Sequence, residues 1–455
     1  MATPVSSVGR DAAPTARDGD APLTLTEPAP RPFGLRDVLG FWGNLGISLL
    51  LPVAASFVVL PGRPLWVSMA AIVVGAAIGS VLLGLGAAAG AREGVPMMVL
   101  LRGLLGRRVS YLPTALNLVQ CVGWATFEIW VIAEAAARAL HLPRWPFVLA
   151  AGVAATLMAL RPLGAVRVLA RYAVWAALAC TAYLFVDVLT HPIAPAGSGG
   201  ATSFWTAADI VVALPVSWFP LVADYTRHAR GPRTAFTGAT VGYGLATVAF
   251  FALGVLALSA YRAAGLDVIG ALLAVPLGAV AVGVLVVVEL DEAFANIYST
   301  ALSAQNIAAR LDRRILAALV GALATLLAFT LDVLSYEPFL FLIGATFVPL
   351  VGVFVVRYFL VPRGAWDTSD RARARPVLLV PWAAGFVAYQ LTLPSALAGA
   401  AAGWTAWWGR WQADLGIDPA NGWSASLVSL VVAAALTAVV SLPAVVRRAT
   451  PERPA

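Results

Sequence analysis

The chain has 455 residues, of which 60% are hydrophobic and 12% charged, and its mean hydropathy is +0.86. That leaves too few polar side chains to coat a soluble domain and reads as a polytopic membrane protein. The net charge of +7 is carried by arginine alone, with no lysine, and the arginines stand between apolar segments, which points to membrane topology and excludes a nucleic-acid-binding face. Cys121 and Cys180 fall inside apolar segments, against a disulfide framework or zinc cluster. No HExxH, phosphate-binding loop or nucleophile elbow occurs, so neither a cofactor nor a transition metal is expected.

Residues 1–32, rich in Pro, Ala, Asp and Arg, have no apolar core and are expected to form a disordered cytoplasmic tail rather than a cleaved signal. Twelve apolar spans of membrane length follow, near 38–60, 66–90, 112–139, 145–160, 163–189, 205–224, 235–260, 278–306, 315–331, 338–359, 377–399 and 425–446. With the N-terminus inside, every arginine except Arg63, Arg138, Arg144, Arg262 and Arg410 lies on the inner side. This asymmetry predicts both termini in the cytoplasm, in the inner (plasma) membrane, with a short tail at 447–455.

Two spans are interrupted. The first carries Gly43-Asn44-Leu45-Gly46 and Pro52, and the sixth carries Pro215, Ser217 and Pro220. They run in opposite directions five spans apart, which suggests two inverted repeats of five spans each, at 33–190 and 204–360, with two additional spans within 376–446. In such transporters, unwound backbone at mid-membrane lines the substrate and ion sites.

Two polar stripes accompany these breaks. In the third span, Asn117, Gln120, Trp124 and Glu128 lie on one helical face. An aromatic plate one turn from a carboxyl group suits a flat ring that forms hydrogen bonds. Glu134 and Arg138 form an i,i+4 pair read as structural. In the eighth span, Glu289, Glu292, Asn296, Ser299, Ser303 and Asn306 share one stripe, with Asp291 about 100° to the side. An ionised side chain at mid-bilayer costs roughly 2.5–3.5 kcal/mol, so this stripe must face protein or a water-filled path. Like-charge repulsion works against Glu289 and Glu292 both being ionised. The outer stretch 403–424, with Trp404, Trp407, Trp408, Trp411 and Trp423, reads as an interfacial aromatic belt.

Several stretches resemble the nucleobase–cation symporter family 1, the purine/cytosine permease relatives. They are Val222-Ala-Asp-Tyr-Thr-Arg-His228 after the broken sixth span, Gly94-Val-Pro-Met-Met-Val-Leu-Leu-Arg102 leading to Leu112-Pro113, Asn117, Gln120 and Gly123-Trp124, then Asn296-Ile-Tyr-Ser299 and Ser335-Tyr-Glu-Pro-Phe339. The resemblance covers about 33–445. It implies an all-α, LeuT-like fold of twelve transmembrane helices and cation-coupled import of a small heterocycle by alternating access. It implies a ring sandwiched by Trp124 and Trp218 and read at its edge by Glu128 and Asn296, with Gln120 and Asn44 nearby. It implies a sodium site on the broken first span, at Gly43, Gly46 and Ile47. Where the family has hydroxyls opposite that break, this chain has Asp291, with Glu292 beside it, so Na+ and H+ both remain open as the coupling ion.

Glu128 bears on the substrate. A protonated carboxyl offers one donor and one acceptor, which matches the edge of an aminopyrimidine, and an ionised carboxylate matches the same edge once the ring nitrogen is protonated. The pattern is similar to the branch that imports hydroxymethylpyrimidine, a thiamine precursor. Cytosine and then purines are the alternatives, and the chain is expected to work as a monomer. A distant alternative is an intramembrane lipid-modifying enzyme built on Glu289, Asp291 and Glu292, but that cluster lies mid-span without nearby Arg or His.

Overall fold

The computed structural model describes residues 29–161, 174–193, 200–261, 267–308, 310–331, 335–361, 364–395, 401–418, 420 and 422–449. Most of the expected tails at 1–32 and 447–455 lies outside these residues. Among the described residues the regular structure is helical, and the one β-feature is an isolated bridge between Phe33 and Ala229.

The first apolar span is two helices, α1 (Leu35–Asn44) and α2 (Leu50–Ala55), with Leu45–Leu49 unwound between them. The break falls at the predicted Gly-Asn-Leu-Gly, whereas Pro52 sits inside α2, in its first turn, where its missing N–H costs nothing. Next come α3 (Leu65–Glu93), α4 (Tyr111–Leu140), α5 (Trp145–Leu160) and α6 (Val174–Thr190). The sixth apolar span is α7 (Phe204–Trp218), a single 3-10 turn at Phe219–Leu221, and α8 (Val222–Thr226). Here α7 runs through Pro215, and the interruption comes just after Trp218, at Pro220.

The chain continues through α9 (Pro232–Tyr261), α10 (Gly278–Ile307), α11 (Arg313–Ala328), α12 (Tyr336–Val355), α13 (Leu379–Thr392), α14 (Ala401–Asp414) and α15 (Ala425–Ala449). Among the described residues, six helical segments are long and apolar enough to cross a membrane: Leu65–Glu93, Tyr111–Leu140, Phe204–Thr226, Pro232–Tyr261, Tyr336–Leu360 and Ala425–Leu442. Helix α10 has comparable length but carries three acids.

Two features were not legible in the sequence. The stretch 94–110 contains two buried helical turns, Met97–Leu100 and Arg102–Leu105. The tryptophan-rich outer stretch is not a loop but the helix α14, because Trp404, Trp407, Trp408 and Trp411 recur at helical spacing. Adjacent rings there lie 4.6–6.1 Å apart.

Small residues let the broken helices pack closely, as they do between membrane helices generally. Helix α9 lies along α1, and a Cβ at Gly242 would meet the Leu39 carbonyl oxygen at 2.7 Å. Helix α3 lies along α7 in the same manner, where a Cβ at Gly75 would meet the Ala208 oxygen at 2.5 Å.

Contacts between connecting segments sort them onto two ends. At one end, Phe33 bridges Ala229, the Met97 N–H donates to Asp224, and Arg102 donates to Asn306 and Asp370. At the other, Arg138 pairs with Asp267, and the Gly200 N–H donates to the Ser56 carbonyl. The first set joins segments that the arginine asymmetry assigns to the inner side, and the second joins segments assigned to the outer side.

Gly242→Leu should abolish close approach of α9 to α1, and overpacking of this kind costs about 1–3 kcal/mol or more. The expected outcome is a large loss of monodisperse protein in detergent size-exclusion. Gly283→Leu, where a Cβ meets nothing within 4 Å, should leave the elution profile unchanged.

Candidate functional site

The site forms where α10 faces both helix breaks. Unwinding Leu45–Leu49 leaves backbone groups to be satisfied in the protein interior, and acids of α10 take up part of that demand. The Ser48 hydroxyl donates to Glu289 Oε1 at 2.8 Å, and the Leu49 N–H donates to Glu289 Oε2 at 2.6 Å. One turn nearer the N-terminal half of the break, the Asn44 amide donates to Asp291 Oδ2. Among the described backbone hydrogen bonds, none ends on the carbonyl of Gly46 or Ile47, while the Gly43 and Asn44 carbonyls accept from the Gly46 and Ile47 N–H groups.

Glu128 comes from α4, the helix that runs alongside α10. One oxygen each of Glu128, Glu289 and Glu292 lies within 4.8 Å of the others, and all three residues are buried. At an effective dielectric of about 20, two charges at that separation repel by roughly 3–4 kcal/mol. Among the described residues no Arg, Lys or His pairs with any of the three. The positive charge that balances this cluster must therefore come from outside the fold, as protons, a metal ion or a charged ligand.

Beside the triad is an enclosed cavity lined by Leu50, Leu51, Trp124, Glu128, Leu214, Ser217, Trp218, Tyr243, Glu292 and Asn296. About 10 Å³ of it is open to a water-sized sphere, room for about one water molecule, so its walls are nearly closed. Trp218 comes from the end of α7, and its indole Nε1–H donates to the Tyr243 hydroxyl at 2.9 Å. Trp42 meets Trp218 edge-on, with centroids 5.9 Å apart. Trp124 stands edge-on to Tyr336 and Phe339 on α12, at 5.9 and 5.3 Å. The Tyr336 hydroxyl in turn donates to the Leu50 carbonyl across the first break at 3.3 Å.

The sequence-derived candidates thus divide into groups. Trp124, Glu128, Trp218 and Asn296 line the cavity, as does Glu292, which the sequence assigns to the cation. Gln120 lies outside the lining: its amide donates to the Ser217 carbonyl at 2.8 Å and to Asn117 at 3.0 Å, so it fastens α4 to the end of α7. Asn44 also lies outside, held on Asp291. Gly46 and Ile47 occupy the first break, and Gly43 lies in the last turn of α1. Sequence reasoning missed Tyr243, although it is a polar aromatic between Gly242 and Gly244 within an apolar helix, and it missed Ser48 as the partner of Glu289.

Residues 26–377 match the family model described as a permease for cytosine/purines, uracil, thiamine and allantoin. The chain belongs to this family. As a permease it is a multi-pass membrane transporter and not an enzyme, which sets aside the lipid-modifying alternative. A search of curated protein sequences finds no match. Among solved structures, Mhp1, a nucleobase-cation-symport-1 family transporter in a closed conformation with bromovinylhydantoin bound, has a TM-score of 0.71 to the permease. The two are 18% identical over 95% of this chain and 96% of that one. A Na+-coupled sialic acid symporter in a substrate-bound outward-open state has a TM-score of 0.60 at 11% identity over 90% of each chain. The manganese transporter of Eremococcus coleocola has 0.54 at 11% identity, covering 92% of this chain and 98% of that one. These likenesses establish the fold as that of LeuT-like transporters.

Tyr243→Phe removes the only described acceptor of the Trp218 indole N–H. A buried donor left unpaired costs about 1–3 kcal/mol, so the variant should unfold at a lower temperature in a detergent thermal-shift assay. Tyr243→Phe should also weaken substrate binding, because Trp218 is no longer fixed against the cavity.

Proposed function

We propose that the permease imports an aminopyrimidine, hydroxymethylpyrimidine, coupled to Na+ or H+ by alternating access. The observation that carries this reading is the shared cavity of Trp124, Trp218, Glu128 and Asn296 between the two helix breaks. Two indoles offer π-faces to a flat ring, and a carboxyl and an amide offer edge contacts in an otherwise apolar enclosure. Cytosine presents the same amino edge, and the family's description includes cytosine and thiamine.

In this reading the coupling cation sits at the first break, on the Gly46 and Ile47 carbonyls with Asp291 and Glu292, while Gly43 and Asn44 shape the break. Supporting it are the absence of described hydrogen bonds to those two carbonyls and a free Asp291 Oδ1. A cation there would tie α1 and α2 to α10 and so couple its own binding to the shape of the neighbouring cavity. We take the repeats as 33–190 and 204–360, with two further spans in 376–446. The protein then has twelve spans and both termini cytoplasmic in the inner membrane, and it acts as a monomer. Rocking of one repeat against the other would expose the site to each side in turn.

Uptake of labelled hydroxymethylpyrimidine and cytosine into cells lacking their own carriers, with and without a sodium gradient, tests this. Accumulation that collapses with the sodium or proton gradient is expected, and no uptake of either compound under any gradient would overturn it. Asp291→Ala should retain substrate binding and lose its cation dependence. Persistence of the cation response would move the ion away from Asp291.

A further inference from the structure

Three carboxyl oxygens in the cavity lining have no donor, against one unpaired donor there, the Trp124 indole N–H. Among the described residues no N–H or hydroxyl donates to either oxygen of Glu128, to Oε1 of Glu292 or to Oδ1 of Asp291, and these side chains are almost wholly buried. Carboxylates only accept when ionised, so a ligand against them must bring the hydrogens. Glu128 and Glu292 both line the cavity, whereas Glu289 stands behind them with each oxygen engaged by the first helix break. The remaining walls are three leucines, Ser217, Asn296 and the rings of Trp124, Trp218 and Tyr243, which can attract a cation through their faces.

From this we infer that Glu128 and Glu292 form a two-carboxylate clamp that takes the ring as a cation, through an amidinium-type edge with two or more N–H donors. This inference rests on the aminopyrimidine reading and narrows it to the protonated ring. A protonated aminopyrimidine places an exocyclic NH2 beside a ring N–H, so both carboxylates receive a charge-assisted hydrogen bond. With one proton shared between Glu128 and Glu292, whose other oxygens still accept, and one ligand cation bound, a single net negative charge remains, on Glu289 with its two donors. A neutral imide such as uracil offers a single N–H between two carbonyl oxygens, so it can serve only one carboxylate and turns oxygen lone pairs toward the other.

A bare divalent ion fits less well. Hard divalent cations take about six to eight oxygens. Beyond the oxygens of Glu128, Glu289 and Glu292 the cavity lining offers few others, being mostly aromatic and leucine side chains.

The test is a binding series on the purified, intact permease at one pH, measured by isothermal titration calorimetry. Cytosine and 5-fluorocytosine are nearly equal in size and share one edge, but the fluorinated ring is less basic. Benzamidine and benzamide form a second pair, one cationic and one neutral. If only the cation binds, affinity follows its population, about tenfold for each unit of ligand pKa. Cytosine should therefore bind about tenfold tighter than 5-fluorocytosine, benzamidine should bind and benzamide should not, and uracil should be silent. Glu292→Gln should shrink the cytosine preference. The wild-type series decides the matter even if that variant does not fold.

Equal affinity for cytosine and 5-fluorocytosine, or binding of uracil or benzamide, overturns the clamp and leaves the aminopyrimidine reading standing. Binding of benzamidine with no aminopyrimidine keeps the clamp and removes the proposed substrate. No binding by any compound removes both.

Discussion

The structure depends on how the unwound segment Leu45–Leu49 is satisfied inside the protein. Exposed backbone groups in a bilayer cost several kcal/mol each, so a helix breaks at mid-membrane only where other groups complete its hydrogen bonds. Here α10 provides part of this: Glu289 accepts from the Leu49 N–H and the Ser48 hydroxyl, and Asp291 accepts from the Asn44 side chain. The break and the acids are therefore one arrangement. Without the acids α1 and α2 would lack their partners, and without the break the acids would be buried with nothing to hold them.

That arrangement fixes the cavity. Leu50 and Leu51 at the start of α2 form one wall, and the Leu50 carbonyl receives the hydroxyl of Tyr336, whose ring meets Trp124. The sixth-span break repeats the device with different partners: Gln120 on α4 donates to Ser217, and Trp218 leans on Tyr243 of α9. Helix α9 in turn approaches α1 through glycine, so motion of the first break would be transmitted to the tryptophan that faces the cavity. Packed contacts of this kind shift between discrete arrangements more readily than they deform, which is what alternating access requires.

The acids also set the electrical character of the site. Burying three carboxyl groups within 4.8 Å without a basic partner among the described residues makes the fold dependent on incoming positive charge. Binding of a cation, whether coupling ion or substrate, then contributes stability that the protein alone lacks.

Much of this was legible in the chain itself. Apolar runs interrupted by Gly43-Asn44-Leu45-Gly46 and by Pro220, and polar residues at three- and four-residue spacing in the third and eighth spans, pointed to a helical membrane transporter and to a candidate site near Trp124, Glu128 and Asn296. Helical periodicity is local and survives in the sequence, which is why those stripes could be read. Partnership across long separations is not local, and only the tertiary structure decided it. It put Glu289 on Ser48, moved Gln120 and Asn44 from the cavity to the breaks, and brought Tyr243 in. It also turned Glu292 toward Glu128, because the crossing of α4 and α10 selects which side of a polar stripe faces the space between them.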